Sequence, residues 1–418
     1  MLLHIESKTL QDLLRVLSGN IVAQALGFLT LVIISRDLGV SEYGVFSLLL
    51  AIFTMSLQLS DFGISTSYVK YLSENLSKAK EIFSTIFLSK ILLSILITVI
   101  LFWLAPILST FLFENRLYTA HIQLISIAII FHALFGVVKG HLQAIQKFAH
   151  YAYLNILHSA LKIISVIIIA FFFSDASHLL FFIASYTFAI VFVLVMLLFF
   201  SYKKVFTFSF DYQHFLAIYK LGFWVFLSTL ATMIIMRLDL LMLQKLSTPL
   251  EVGYYSAAMN IAMIFPLVTA SLTTTLLPKM DQYLKSASHK AYIAKVLSKA
   301  GYIFVLLVLI ELIAPVLITL LFGEAYQKSI SVFQILLVAF TFGIIINPLS
   351  LLLYSMNKAH LLTLLNWIQL PLNYLGNLML IPLYQADGAA LSSVVLRLFG
   401  GLYILLYLLK KGDHDAAA

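Results

Sequence analysis

Ala105-Pro106-Ile107-Leu108-Ser109-Thr110-Phe111-Leu112-Phe113 returns 209 residues later as Ala314-Pro315-Val316-Leu317-Ile318-Thr319-Leu320-Leu321-Phe322. The same offset carries Glu42-Tyr43-Gly44-Val45-Phe46-Ser47 onto Glu251-Val252-Gly253-Tyr254-Tyr255-Ser256, and Arg36 onto Lys245. Two separate stretches with one offset in a chain of 418 residues mark an internal duplication. A small loop difference then moves the offset to 211, where Gln146-Lys147 meets Asn357-Lys358 and Asn155 meets Asn366.

The surroundings of these stretches set the solvent. The chain is 62% hydrophobic and only 11% charged, against roughly 25% charged in soluble domains. Such a surface cannot face water, so the chain reads as an integral membrane protein. Apolar runs long enough to cross ~30 Å of hydrocarbon fall near residues 13–36, 43–63, 82–104, 118–138, 150–173, 178–201, 215–243, 253–277, 297–321, 329–353, 359–383 and 388–409. Helices are expected, because an open strand edge cannot be satisfied in lipid and a barrel would show short alternating segments. The fold class is therefore all-α, twelve transmembrane helices in two six-helix lobes, residues 1–205 and 206–418. Because six is even, both lobes enter the membrane in one direction, and a pseudo-twofold axis along the membrane normal relates them. That symmetry is the kind that supports alternating access.

The formal charge of +8 is explained by topology. Lys70, Lys78, Lys80, Lys139, Lys147, Lys203, Lys204, Lys279, Lys285, Lys290, Lys295, Lys299, Lys358, Lys410 and Lys411 fall on the side of the termini, while Arg36, Arg116, Lys245 and Lys328 fall opposite. By the positive-inside rule both termini are expected in the cytoplasm. Nucleic acid is not needed as a partner. The connectors at 64–81 and 278–296 read as amphipathic anchors on anionic lipid. The N-terminal MLLHIESKTLQD lacks the pattern of a cleavable signal, and the tail GDHDAAA reads as disordered or vector-derived, with no function expected of it.

There is no cysteine, which excludes disulfides, thiolate metal sites and a cysteine nucleophile. His132, His141 and His158 lack a spacing that closes a metal site. No Walker sequence, glycine-rich phosphate loop or nucleophile elbow occurs. No cofactor and no enzymatic step are expected. Pro266 and Pro371 are places where a span can bend.

Several short motifs then resemble one family. Arg36-x-Leu38-Gly39-x-x-Glu42-Tyr43-Gly44, Asp61-Phe62-Gly63-Ile64 and Asp387-Gly388-Ala389-Ala390 look like the polysaccharide exporters, the O-antigen flippases of the multidrug, oligosaccharidyl-lipid and polysaccharide transporter superfamily. The likeness covers essentially the whole chain, though family members often have two further C-terminal spans. It implies movement of a polyprenyl-pyrophosphate-linked oligosaccharide, an O-antigen or capsule repeat unit, to the outer leaflet of a bacterial inner membrane. It also implies membrane lipids, a glycan polymerase and other assembly proteins as partners, while a working monomer is expected because the two lobes already supply the symmetric pair.

Ionisable groups inside a membrane are functional candidates by default. Arg237, Lys162 and Arg397, with His158 one turn before Lys162, are the expected substrate cavity, cationic to suit a pyrophosphate. Asp239 and Glu311 are the candidates for a coupling ion or proton. Arg36, Glu42, Asp61, Lys245 and Glu251 lie at span ends and are expected to gate or scaffold. The repeat sorts these residues: Arg36 pairs with Lys245 and Glu42 with Glu251, whereas Lys162 falls on Asn373, Arg237 on Phe28, Asp239 on Thr30 and Glu311 on Phe102, so these four charges are unduplicated. The competing readings are a drug or organic-cation antiporter, which would need an acidic cavity, and a membrane glycan polymerase or ligase, which would need a large outer loop.

Overall fold

The computed structural model describes residues 7–173, 178–205, 209–266, 269, 273, 289–298, 300–356 and 358–414. The connector at 278–296 lies outside the described residues as far as 288, and so does the end of the tail. Every described element is helical. They are α1 (Ser7–Asp61), α2 (Ile64–Glu74), α3 (Ala79–Phe113), α4 (Thr119–Ala144), α5 (Phe148–Phe172), α6 (His178–Val205), α7 (Tyr212–Leu246), α8 (Pro249–Ala262), α9 (His289–Ser298), α10 (Ala300–Phe322), α11 (Ser329–Ser355) and α12 (Ala359–His414).

Eight described helices are long and apolar enough to cross a membrane, or nine with α7, which bends by 42° between Tyr212–Leu227 and Thr229–Leu246. Two of these helices are compound. At 55 residues, α1 would reach about 80 Å as one rod, far beyond a ~30 Å core. It breaks at Gly39, whose φ of 70° is open to glycine but strained for other residues. Likewise α12 breaks at Gln385, φ 56°. The expected boundaries at 36/43 and 383/388 therefore fall on real breaks. The eighth expected span is described as a helix only to Ala262 before a turn at Met263. This is an all-α, multi-pass membrane protein.

The chain divides into two compact units: residues 1–38 with 48–230, and residues 39–47 with 231–418. In the first, Ile64, Tyr68, Leu72, Ile82, Phe83, Ile86 and Val137 close a core among α2, α3 and α4. Phe135, Leu154, Ile190 and Val193 join α4 to α5 and α6. Asn155 donates to the Asn20 side chain at 3.1 Å, tying α5 to α1. In the second unit Leu349, Leu351, Leu352, Leu365, Ile404 and Leu408 pack α11 against both ends of α12. There Asn366, the repeat partner of Asn155, donates to Thr232 of α7 at 3.3 Å. One amide thus does the same job in each half.

The duplicated Glu-x-Gly stretches meet within the second unit. A Cβ on Gly44 would overlap the Pro249 carbonyl oxygen, and one on Gly253 would overlap the Val40 carbonyl oxygen. These backbones approach so closely that only glycine fits either position. Gly253→Val is expected to cost about 1–3 kcal/mol by overpacking, read as a lowered thermal midpoint of the detergent-purified protein. An unchanged midpoint would show that the segments relax apart freely.

Candidate functional site

Apart from Arg237 and Glu311, the ionisable residues singled out by sequence fall into three groups. The first is built on α4, α5 and α6. Along α5, Tyr151, Asn155, His158 and Lys162 recur at helical spacing and share a face. The Lys162 ammonium lies 4.6 Å above the Tyr186 ring of α6 and faces Gly27 of α1. His158 rests edge-on against His132 of α4, ring centroids 5.6 Å apart, and against Phe135 at 5.4 Å. Its Nε2 is buried with no hydrogen-bond partner. His132 places Nδ1 3.1 Å from the Ala128 carbonyl oxygen. Lys139, two turns along α4 from His132, lies over the Phe135 and Tyr151 rings at 5.1 and 5.8 Å. Lys139, His132 and Lys162 all act electrostatically on His158, and among the described residues no carboxylate bonds or ion-pairs with any of them.

The second group surrounds Asp239 of α7, which is 3% exposed. Its carboxylate accepts hydrogen bonds from Tyr255 Oη at 2.8 Å, Asn373 Nδ2 at 3.0 Å, Asn377 Nδ2 at 2.7 Å and Ser393 Oγ at 3.0 Å. Asn377 Oδ1 is buried beside it without a partner. Arg397 stacks on Phe340, guanidinium carbon to ring centroid 4.3 Å, within electrostatic reach of Asp239 and Tyr255. Arg237, two residues from Asp239, belongs to a different face. Among the described residues it has no hydrogen bond and no ion pair. Glu311 takes no part in the Asp239 network; it sits on α10, where Gln334 donates to its carbonyl oxygen at 3.4 Å.

The third group lies at helix ends. Glu251 is buried, capped into α8 through Thr248, and accepts from Lys328 at 3.2 Å and from the Ala386 backbone at 3.4 Å. That contact pushes the Lys328 ammonium above its ordinary value. Glu42, its repeat partner, is exposed, as are Arg36 and Lys245. Asp61 accepts from Lys90 at 2.6 Å and bonds the Ser65 hydroxyl. At the turn into α7, Asp211 accepts from the Gln213 and His214 amides, which hold its carboxyl below the usual range.

Sequence reasoning passed over Lys90, Lys139 and the Asn373, Asn377 and Ser393 side chains. The signal for Lys90 was present: it is a lysine inside the apolar run 82–104. Uncharged amides carry no such mark, and only the fold brings them to Asp239.

A family model described as "Polysaccharide biosynthesis protein" matches residues 9–284, more than half of the chain. The chain belongs to the polysaccharide biosynthesis protein family. Curated proteins give no match by sequence. Among solved structures, this family member is similar to the lipid II flippase MurJ in an inward closed conformation, with a TM-score of 0.72, 16% identity, and 94% of this chain and 87% of that one covered. It is similar to an inward-facing multidrug resistance MATE family transporter of the MOP superfamily at TM-score 0.70, 15% identity, covering 94% and 95%. A MOP superfamily transporter from Pyrococcus furiosus, described as having a binding pocket of reverse polarity, follows at TM-score 0.56 and 13% identity, covering 95% of each chain. These likenesses place the polysaccharide biosynthesis protein in the MOP transporter fold.

Proposed function

We propose that this protein flips a polyprenyl-pyrophosphate-linked oligosaccharide, an O-antigen or capsular repeat unit, from the cytoplasmic to the outer leaflet of a bacterial inner membrane. The two lobes, 1–205 and 206–418, are the alternating bodies, both termini are cytoplasmic, and a monomer suffices. The observation that carries the reading is the charge of the interior groups. Among the described residues, Lys162 and Arg237 are half-buried cations with no carboxylate partner, and a cation kept away from water needs an anion. A drug antiporter would hold an acid-dominated site instead. The acid-centred interior group around Asp239 has its carboxylate already saturated by neutral donors. Arg237, Lys162 and His158 are the substrate-facing residues in this reading, and Arg397 is the counter-charge to Asp239.

Asp239 is then the coupling site. A carboxylate ringed by Asn373, Asn377 and Ser393, with a spare amide oxygen on Asn377, offers oxygens from several side chains at one point. Turning either amide presents its oxygen, which is what a small hard cation requires.

The test is the leaflet distribution of the complete lipid-linked unit in the native host, read with a membrane-impermeant sugar probe. Depletion of the protein is expected to trap the unit on the cytoplasmic side. Arg237→Ala and Lys162→Ala are each expected to lower export with normal membrane abundance. Full export by both variants ends the cationic-site reading. A unit that reaches the outer leaflet but is not lengthened points to a polymerase or ligase.

A further inference from the structure

We infer that His178 is a proton-operated latch, which in its charged form ties the end of the first span to the junction between α5 and α6 within the first unit. The ring is set between two acceptors. Its Nδ1 lies 2.6 Å from an Asp37 carboxylate oxygen, and its Nε2 meets the Phe173 carbonyl oxygen. A neutral imidazole carries one N–H, so either tautomer turns a lone pair toward the carboxylate or the carbonyl. Only the imidazolium donates to both at once. Histidine is the side chain whose ordinary charge change falls between about pH 5 and 8, which makes the latch an acid-closed device. The side chains of His178 and Asp37 are each 19% exposed, open enough for a proton to arrive from water and sheltered enough for a charge-assisted bond to count. Phe182, one turn along α6, stands edge-on to the ring at 5.9 Å, and Phe181 packs on Phe173 at 5.1 Å. The histidine and the carbonyl it meets are thus both held in place.

The latch holds a crossing point. Asp37 is among the last residues of α1 in the first unit, and at Gly39, where α1 breaks, the chain passes into the second. On the topology read from the lysines, this is the outer end of the unit. The other charged or titratable groups at this end are Arg36 beside Asp37 on α1, Glu114, Arg116 and His121 around the start of α4, and Asp175, three residues before His178 in sequence. The α5 segment carries no charge after Lys162, and α6 carries none between His178 and Lys203. The repeat shows that the fold does without such a pair. At the offset of 209 Asp37 falls on Leu246, and residues 384–390, which correspond to the start of α6, contain no histidine. The scaffold amides Asn155 and Asn366 are kept in both halves, whereas the latch belongs to one.

The experiment is amide hydrogen exchange of the full-length protein in detergent across about pH 5 to 8, read at the last turns of the first span and of α5, residues 33–38 and 168–173, and corrected for the chemical exchange rate with an unstructured reference peptide. It needs no substrate, so it is independent of the flippase reading. Protection of both segments is expected to fall roughly tenfold or more as the pH rises through a one-proton transition, the loss of a charge-assisted bond. The sign follows from the geometry: both contacts belong to the imidazolium, so the latch is whole in acid and lost once the ring is neutral. His178→Gln should abolish the transition, because an amide does not change charge. Asp37→Asn should move its midpoint to lower pH, because the imidazolium loses its counter-charge. His121→Gln, which removes the other histidine at this end, should leave it in place. A transition that survives in His178→Gln, its absence from the unmodified protein, or protection that grows with pH overturns the latch. An unshifted midpoint in Asp37→Asn does so as well, which keeps the test decisive if His178→Gln folds poorly.

Discussion

Lys90→Met is expected to lower stability by about 3–5 kcal/mol, the cost of leaving one member of a buried ion pair without its partner. Lys90 is 1% exposed, and its ammonium donates to Asp61 at 2.6 Å and to the Ser60 carbonyl at 3.3 Å. Asp61 does a second job. It is the last residue of α1 and precedes two left-handed residues, Phe62 at φ 48° and Gly63 at φ 69°, and it accepts from the Ser65 amide at 3.4 Å at the start of α2. The ion pair therefore fixes the corner between α1 and α2 against α3. Lys90→Met leaves the partly buried Asp61 carboxylate with Ser65 but without its counter-charge, so membrane abundance and the thermal midpoint should both fall. Adding Asp61→Asn removes the orphaned charge and keeps an oxygen for the Ser65 amide, so the double variant should recover most of the loss. A Lys90→Met protein that melts like the unmodified one would show that water reaches Asp61.

The corner at Asp61 shows what could be read from sequence and what could not. Its acid was visible as a span-end residue expected to gate or scaffold, and the structure places it where it accepts from the Ser65 amide at the start of α2. Its lysine lies 29 residues away in the next span, and no local pattern links them. The repeat was legible because packing constraints are duplicated with the chain. Gly44 and Gly253 align by 209 residues and also need the same absent side chain. The equivalence failed where the environment differs: Glu251 is buried against Lys328 and the Ala386 amide, while Glu42 faces outward. Charge can be read from a sequence, but burial of that charge depends on which helix covers it.

The interior shows the same limit more sharply. Thr30, Lys162 and Tyr186 in one unit correspond to Asp239, Asn373 and Arg397 in the other. Thr30 folds its hydroxyl back onto the Leu26 carbonyl at 2.7 Å, as an ordinary helical threonine does. Asp239, at the equivalent place, gathers donors from α8 and from both segments of α12. Duplication supplied two copies of one interior position, and substitution left one basic and the other centred on an acid. The expectation that Asp239 and Arg237 point to different faces follows from their spacing alone. That Asp239 would be met by amides and hydroxyls required the fold.

Asp239→Asn is expected to remove ion dependence from transport and to slow it by roughly 5- to 150-fold under a cation gradient, the range of typical coupling free energies. The reason is local. Asn373 and Asn377 both donate to Asp239 Oδ1, while the Tyr255 and Ser393 hydroxyls donate to Oδ2, so an asparagine keeps its oxygen on the two amides and its nitrogen on hydroxyls that can accept, and the negative charge is gone. The remaining oxygens are neutral and hold a cation poorly. The measurement is flux of lipid-linked oligosaccharide into proteoliposomes, with sodium, potassium or a pH step imposed, normalised to the amount of folded protein. Sodium-selective acceleration that disappears in Asp239→Asn is the expected result. Acceleration by the pH step alone would make Asp239 a proton carrier instead. Unchanged flux per molecule, with reduced abundance, would leave the four hydrogen bonds as a structural knot joining α7, α8 and α12. Glu311→Gln is the informative companion, because Glu311 sits apart from this network. If Glu311→Gln abolishes ion dependence while Asp239→Asn keeps it, coupling belongs to α10 and the Asp239 cluster is scaffold.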